Sequence, residues 1–276
     1  MKPQTCSFLW LSVATSTCQS ILIYCLSCPF AIAADCQKTI LLDLTYPFDN
    51  ETIYWPTEKG FKLHKIAYGE TPKGYFYSAY KFCAPEHGGT HIDAPRHFSK
   101  DGRTVDKIPV DAMRGKLVVV NVVSQANVDH DYAITMADIK RFEKQYRNIN
   151  SQDIVLFYTG WGRYWGNKIK YLGNDTFGDT NNLHFPGLSK DAAHYLVNKK
   201  VKAIGLDTPS LDPGISVEFW AHRIILAANI YGIENIANLQ SVPSIGSELI
   251  VAPMKILGGS GAPARIYALC SSSNGQ

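Results

Sequence analysis

A stretch of twelve residues, HGGTHIDAPRHF at positions 87–98, constrains this chain more than any other segment. Three histidines and one carboxylate lie within it, at His87, His91, Asp93 and His97. All four positions are odd, so an extended segment would place their side chains on one side of the backbone. A straight strand would, however, separate the first histidine from the aspartate by roughly 20 Å. The segment must therefore bend if these side chains are to meet.

Two glycines supply that bend. Gly88 and Gly89 accept positive φ angles and let the backbone come close to surrounding side chains. Pro95 cannot donate a ladder hydrogen bond and ends a strand. The sequence therefore predicts a short, bent strand that leads into a loop, with two imidazoles and a carboxylate converging.

Two neutral imidazoles and one carboxylate are a typical ligand set for a catalytic divalent metal ion, because they leave positions open for water and substrate. Such an ion lowers the pKa of bound water towards ~7. We therefore predict that His87, His91 and Asp93 bind a metal ion. An imidazole in water titrates near ~6.5, so His97, one short loop further on, is predicted to be a proton carrier rather than a ligand. The alternative is a structural metal clip or a set of surface histidines, but clips usually include cysteine, and this stretch has none.

Composition places the chain among ordinary globular proteins. It has 276 residues, of which 46% are hydrophobic and 18% charged, enough for one α/β domain with a substantial core. The formal net charge of +3 is small and spread along the chain. Without a basic stripe, the sequence argues against a nucleic-acid partner.

Residues 1–34 differ from the rest. Their only charge is Lys2, apolar and small residues follow, and the stretch ends in AIAA, a pattern typical of a secretory signal peptide. An uncleaved membrane anchor would need ~18 apolar residues, and Gln19 and Ser20 interrupt the run. We therefore predict a leader over 1–34, a single metal-binding domain over 35–276, entry into the secretory pathway, and no membrane attachment after the leader is removed.

In a secreted protein, cysteines can form disulfides and N-x-T triplets can be glycosylated. Cys36, Cys83 and Cys270 follow the leader, and three cysteines permit one disulfide and one free thiol. We expect the pair Cys36–Cys270, because the ends of a domain are often close together. Asn50 and Asn174 each begin a triplet and are candidate glycosylation sites.

Hydrophobic patterns along the remaining chain predict alternating strands and helices. Strands are predicted over 39–45, 75–80, 117–123, 153–158, 201–206 and 264–269. Helices are predicted after three capping residues, Thr135, Ser189 and Ser216. A long loop is expected over 164–184, and a glycine-rich segment over 258–263 precedes the last strand.

Further site residues are less distinctive. His222 and Glu234 can face the same metal only if the chain breaks near 229–232, because on one continuous helix they would lie about 120° apart. Ser210 follows the strand 201–206, at the end where α/β proteins tend to place sites. Aromatic residues such as Trp55 belong either to the core or to the wall of a pocket, and the sequence leaves both open.

The segment 87–98 closely resembles the H-x-G-T-H-x-D-x-P-x-H-F signature of the cyclase family, which contains bacterial kynurenine formamidases and isatin hydrolases. Further landmarks of that family follow in order along most of the mature chain: Asp43-Leu44-Thr45, Thr159-Gly160-Trp161, Phe185-Pro186-Gly187-Leu188, Gly205-Leu206-Asp207-Thr208-Pro209-Ser210, His222-Arg223 and Glu234-Asn235. The chain departs from the family at Thr45-Tyr46, where histidine is frequent, and in carrying a leader.

The resemblance implies a metal-dependent hydrolase that opens an aryl formamide or a cyclic amide. It implies a swivelling β/α/β fold with a mixed sheet, a homodimer, and one or two ions of Zn²⁺ or Mn²⁺. Carried over by position, it makes His87, His91 and Asp93 the primary metal ligands and His97 the catalytic histidine. In members with two ions, residues matching His222 and Glu234 complete the second site. We predict three substrate contacts, at Trp55, Trp161 and Ser210.

A second hypothesis is a secreted binding or signalling protein that keeps the metal pocket without efficient catalysis. Hydrolysis of N-formylkynurenine, isatin or simple aryl formamides by the metal-loaded protein separates the two. A cupin-like protein does not fit, because cupins present a close H-x-H pair followed by glutamate.

Overall fold

The structure, a computed structural model, describes residues 39–271 of the chain. The strands are β1 (Thr39–Asp43), β2 (Lys62–Glu70), β3 (Phe76–Cys83), β4 (His91–Asp93), β5 (Arg114–Asn121), β6 (Ala133–Ile134), β7 (Asp153–Tyr158), β8 (Gly187–Leu188), β9 (Ala203–Leu206), β10 (Tyr231–Glu234), β11 (Ser247–Pro253) and β12 (Gly261–Ser271). The α-helices are α1 (Val123–Val128), α2 (Met136–Gln145), α3 (Lys168–Leu172), α4 (Lys190–Lys199) and α5 (Trp220–Ala227).

Seven strands of the main sheet form a closed ring. They pair in the order β12-β11-β5-β7-β9-β10-β4, and β4 pairs back onto the beginning of β12, while β1 pairs with the last residues of β12. The four strands β5, β7, β9 and β10 are parallel, and the rest of the ring is antiparallel. This barrel-like mixed sheet confirms the predicted α/β class.

Side chains along each strand point alternately into and out of the barrel, so the sheet has a hydrophobic cluster on each face. Leu117 and Val119 of β5 point into a cluster that takes residues from strands all round the ring and so fills the barrel. Val118 and Val120 point outwards, into a second cluster shared with α2, α4 and α5. Both faces of β5 are therefore buried, which explains its continuous run of apolar residues.

Two of the three predicted helix starts are confirmed. Thr135 accepts a hydrogen bond from the Asp138 N–H in a capping box at α2, and Ser189 caps α4. The prediction for Ser216 was wrong, because α5 begins four residues later, at Trp220. The predicted long loop is also interrupted, since α3 lies within it.

A hairpin formed by β2 and β3, here called the hairpin arm (62–83), pairs with no other strand of the described chain. Nearly all of its residues are exposed, against the usual burial of large apolar side chains. Eight large apolar side chains on it are 45–66% exposed: Leu63, Ile66, Tyr68, Tyr75, Phe76, Tyr77, Tyr80 and Phe82. A hairpin that exposes so many large apolar side chains is typical of an interaction surface.

The predicted leader and Cys36 lie outside the described residues, so the pairing of Cys36 with Cys270 stays a prediction. Cys270 is buried on β12, and Cys83 is exposed at the end of β3. Between Thr39 and Ser271, no helix combines the length and apolar character that crossing a bilayer requires. Asn50 is exposed and Asn174 half-buried, and glycosylation of both stays a prediction.

Candidate metal centre

The site is built around the short strand β4, which lies between β10 and β12. Ile92 points into the barrel core, so its neighbours His91 and Asp93 point to the opposite face. On β10, Glu234 stands directly opposite His91. Residues paired in this way project from the same face of a sheet, so sheet pairing brings Glu234 to the histidine.

Asp93 has a glycine opposite it on both neighbouring strands, Gly232 on β10 and Gly261 on β12. A Cβ atom on Gly232 would lie 3.4 Å from the Asp93 Cβ. A Cβ atom on Gly261 would lie 2.4 Å from the Cε1 atom of His87. The two glycines therefore leave space around the carboxylate for the imidazoles that converge on it.

The predicted bend is confirmed and lies at Gly88 and Gly89, with φ angles of +155° and +56°. The ring of Tyr54 packs so closely on Gly88 that any side chain there would collide with it. The bend returns His87 to the site, where its Nδ1 atom lies 2.7 Å from Oδ1 of Asp93. Glycine is therefore required here by conformation and by contact.

The predicted break between His222 and Glu234 is also confirmed. Helix α5 ends at Ala227, Asn229 adopts a φ of +57°, and β10 begins at Tyr231. The Nε2 atom of His222 lies 3.1 Å from Oδ2 of Asp93 and 3.2 Å from Oε1 of Glu234. Three histidines and two carboxylates thus meet at one place.

The outer ring nitrogens of two histidines are held by acceptors. His91 Nδ1 lies 2.9 Å from the carbonyl oxygen of Gly89. His222 Nδ1 lies 2.6 Å from Oδ2 of Asp212. In both rings this places the hydrogen on Nδ1 and directs the Nε2 lone pair at the carboxylates, an arrangement that suits a metal ligand.

Burial and charge act against each other in the cluster. Burial lowers the pKa of His222, but contacts with Asp212, Asp93 and Glu234 outweigh it and raise this pKa well above its ordinary value. The pKa of His91 is raised for the same reason, its carboxylate neighbours overcoming burial. Burial opposes ionisation of Asp93, yet His87 and the other imidazoles hold its pKa well below the usual range. Positive charge is therefore stabilised between the carboxylates.

His97 differs from the other histidines. Its ring stacks on that of His87, with centroids 3.8 Å apart and planes 23° apart. Removal from solvent lowers the pKa of His97 to about 4, and the neighbouring imidazoles add to this effect against the attraction of Asp93. At neutral pH the ring is therefore uncharged and able to accept a proton.

These residues fit a divalent metal ion. The buried Nε2 atom of His91 has no hydrogen-bond partner, although it lies 3.3 Å from Asp93 and 3.4 Å from Glu234. A buried polar atom without a partner is costly unless an ion satisfies it. Ligand atoms of His91, Asp93 and Glu234 lie within 4.8 Å of one another, as do those of His87, Asp93 and His97. The shared carboxylate of Asp93 joins the two groups.

A cavity of about 370 Å³ opens onto the cluster. Trp55 and Ser210 line it, as do the aromatic rings of Phe98 and Phe219. Trp161 does not line it and is only 1% exposed, with its indole N–H donating to the Tyr171 carbonyl at 2.9 Å. The structure therefore gives Trp161 a packing role, and its predicted contact with the substrate stays a prediction.

Sequence reasoning missed several residues of the site. Asp212 orients His222, and the rings of Phe98 and Phe219 pack against that histidine at centroid distances of 4.7 and 6.1 Å. Asp212 precedes α5 by eight residues, a spacing that matches no capping pattern. Phe98 was part of the conspicuous segment, but only its contacts in the fold mark it as a cavity wall.

The family model for Cyclase matches residues 42–213, more than half of the chain. The chain belongs to the Cyclase family. Two relatives agree with that assignment. The isatin hydrolase of Roseibium aggregatum is 31% identical over 217 residues, which cover 75% of this chain and 80% of the relative. The kynurenine formamidase of Salinibacter ruber is 32% identical over 179 residues, which cover 65% of this chain and 74% of the relative.

A solved structure of an isatin hydrolase bound to the product analogue thioisatinate has a similar fold. The two superpose with a TM-score of 0.78 at 29% identity, covering 85% of this chain and 93% of the other. These findings confirm the predicted family and class, a metal-dependent amidohydrolase.

Proposed function

We propose that this member of the Cyclase family hydrolyses the C–N bond of an aryl formamide or a cyclic aromatic amide. One observation carries the proposal: buried imidazoles and carboxylates converge at the inner end of a cavity walled by aromatic rings. The similarity to isatin hydrolase and kynurenine formamidase points to the same substrate class.

Five residues would hold the metal: His87, His91, Asp93, His222 and Glu234. When bound, a divalent ion polarises the scissile carbonyl and lowers the pKa of water. Glu234 is held in position by the Leu211 N–H, which donates to Oε1 at 2.9 Å. Zn²⁺ and Mn²⁺ both accept imidazole and carboxylate ligands. Because Asp93 belongs to both ligand groups, the site would hold one such ion or two.

His97 moves the proton. Its ring is uncharged at pH 7 and lies beside the ligand cluster. A ring nitrogen of His97 can therefore accept a proton from the attacking water. The same ring then returns the proton to the departing nitrogen. Asp93, negatively charged nearby, stabilises the imidazolium that forms between these two transfers.

The cavity walls favour a flat aromatic substrate. Trp55 and Phe219 lie with ring centroids 6.3 Å apart and planes at 58°, and Phe98 stands 5.6 Å from Phe219. Aromatic walls bind an aryl ring through apolar burial and offset contacts. Ser210 supplies a hydroxyl among the cavity-lining side chains.

The test is hydrolysis of N-formylkynurenine, isatin and simple aryl formamides by protein loaded with Zn²⁺ or Mn²⁺. His97→Ala is expected to reduce kcat/KM by about 10²–10⁴-fold while metal content stays unchanged. Loss of the metal in this variant would make His97 a ligand instead. If the metal-loaded wild type hydrolyses none of these amides, the protein is a metal-containing binding protein.

We further propose that the protein acts as a homodimer through the hairpin arm. Tyr68 and Phe76 on the arm form an edge-to-face pair 5.2 Å apart while 66% and 53% exposed. A double substitution by serine is expected to shift a dimer to a monomer in light scattering. Val128→Ser, which changes an isolated side chain that is 90% exposed, is the matched control. A monomeric wild type would refute the dimer.

Secretion completes the proposal and rests on the character of residues 1–34. Expression of the full chain with analysis of the mature N-terminus tests it. A mature protein that begins after the AIAA stretch supports secretion, and one that retains Met1 refutes it.

A further inference from the structure

The glycine-rich segment 258–263 has no role in the reaction described above, yet it contacts His87. The Nε2 atom of His87 lies 3.1 Å from Oγ of Ser260, while Nδ1 faces Asp93. His87 thus differs from the other two ligand histidines, whose outer nitrogens contact a carbonyl or a carboxylate directly.

The direction of the contact follows from Glu86. Its Oε2 atom lies 2.9 Å from the Ser260 N–H, 3.2 Å from the Gly261 N–H and 2.6 Å from the Ser260 hydroxyl. An oxygen that receives two backbone N–H groups acts as an acceptor, so the hydroxyl donates its single hydrogen to Glu86. Only lone pairs then remain on Ser260 Oγ for His87. The imidazole must therefore donate, with its hydrogen on Nε2.

The ring also has little freedom to turn. On one side it packs against the backbone of Gly261, where a Cβ atom would lie 2.8 Å from both ring nitrogens of His87. On the other it stacks on His97 at 3.8 Å. The imidazole is therefore confined to a slot, with Ser260 at one nitrogen and Asp93 at the other.

We infer that Ser260 and Glu86 are positioning residues that hold the Nε2–H of His87, so that a metal ion displaces the hydrogen between Nδ1 and Asp93 and meets the Nδ1 lone pair. The inference rests on the proposed metal centre. It gives the glycine-rich segment a role, because Gly261 makes room for the ring and Ser260 links the ring to the carboxylate of Glu86. Outer partners of metal-binding histidines fix both the tautomer and the orientation of the ring.

Ser260→Ala tests the inference with two readouts. The affinity for Mn²⁺ or Zn²⁺, measured by competition with a chelator, is expected to fall about 10–100-fold. In Zn²⁺-loaded protein, where the ion occupies Nδ1 and the only ring hydrogen is on Nε2, ¹⁵N NMR of the histidine rings is expected to show faster solvent exchange of the His87 Nε2–H in the variant than in the wild type. Ser260→Thr, which keeps the hydroxyl, restores both. Ser247→Ala removes a buried hydroxyl near Cys270 and serves as the matched control.

Glu86→Ala provides a second test if Ser260→Ala does not fold. It frees the Ser260 hydroxyl to donate its hydrogen elsewhere and leaves it a poorer acceptor for His87, so the same faster exchange of the Nε2–H and the same loss of affinity are expected. Unchanged exchange of the Nε2–H and unchanged affinity in a folded variant would overturn the positioning role alone. A wild type that binds neither metal would overturn the proposed metal centre itself, a result distinct from metal binding that Ser260→Ala leaves unchanged.

Discussion

Asp212→Asn exchanges one carboxylate oxygen for an amide group where this residue holds His222. In the wild type, Oδ1 accepts the Ala221 N–H at 2.7 Å. Oδ2 accepts the His222 N–H at 3.0 Å and its ring Nδ1–H at 2.6 Å. Asparagine keeps the first contact but presents N–H groups to the other two donors. The ring avoids that conflict by moving its hydrogen from Nδ1 to Nε2.

A hydrogen on Nε2 of His222 would occupy the ring nitrogen that faces the metal site. Nε2 of His222 lies 3.1 Å from Asp93 and 3.2 Å from Glu234, so a hydrogen there would be donated to these carboxylates. The lone pair needed for an ion would then be lost. Metal affinity is expected to fall about 10–100-fold, equivalent to about 1.4–2.7 kcal/mol.

The cost to folding is expected to be smaller. In the metal-loaded protein, where His222 is neutral, asparagine still accepts the Ala221 N–H, so the fold loses mainly the hydrogen bond from the His222 backbone, worth about 1 kcal/mol. For a domain of this size that lowers Tm by about 2–4 °C. Metal affinity, measured by chelator competition, should therefore change far more than thermal stability.

Asp131→Asn is the matched control, because it makes the same change in an exposed pair, where Asp131 lies 2.9 Å from His184. It should leave metal affinity and Tm unchanged. The reasoning is refuted if Asp212→Asn binds Zn²⁺ and Mn²⁺ as tightly as the wild type. It is also refuted if the affinity falls only together with a collapse of the fold.

Three further outcomes are expected. His91→Ala should abolish metal binding in elemental analysis, because it removes the buried Nε2 that faces both carboxylates; a full metal complement would contradict this. Metal binding at pH 7 should release protons and become tighter as pH rises, because the raised pKa values of His91 and His222 mean that these rings must lose a proton before they bind the ion. Calorimetry in two buffers of different ionisation enthalpy measures the proton release, and binding without proton release would contradict this prediction. Trp55→Ala should raise KM for aromatic amides, whereas Trp161→Ala should cost about 3–5 kcal/mol of folding stability by denaturant unfolding; the opposite pattern would reverse their assignments.

Local chemistry explains what could be predicted from the sequence. The bend at Gly88 and Gly89 depends on the φ angles that glycine permits, and it gathers His87 and Asp93 from within one short segment. Helix starts such as Thr135 were predictable because a capping box involves residues only three apart. The buried strands were predictable because a strand buried on both faces has a continuous run of apolar residues.

The remaining contacts of the site depend on how the strands of the closed sheet pair. Glu234 stands opposite His91 because β10 and β4 pair in one register, and Ser260 meets Glu86 across 174 residues because β12 returns to the ring. No local preference encodes either contact. Trp55 and Trp161 are the same residue type in the sequence, yet one lines the cavity and the other is buried beneath it. The chain thus specifies the ligand-bearing segment through backbone conformation, whereas long-range strand pairing selects the partners that surround it.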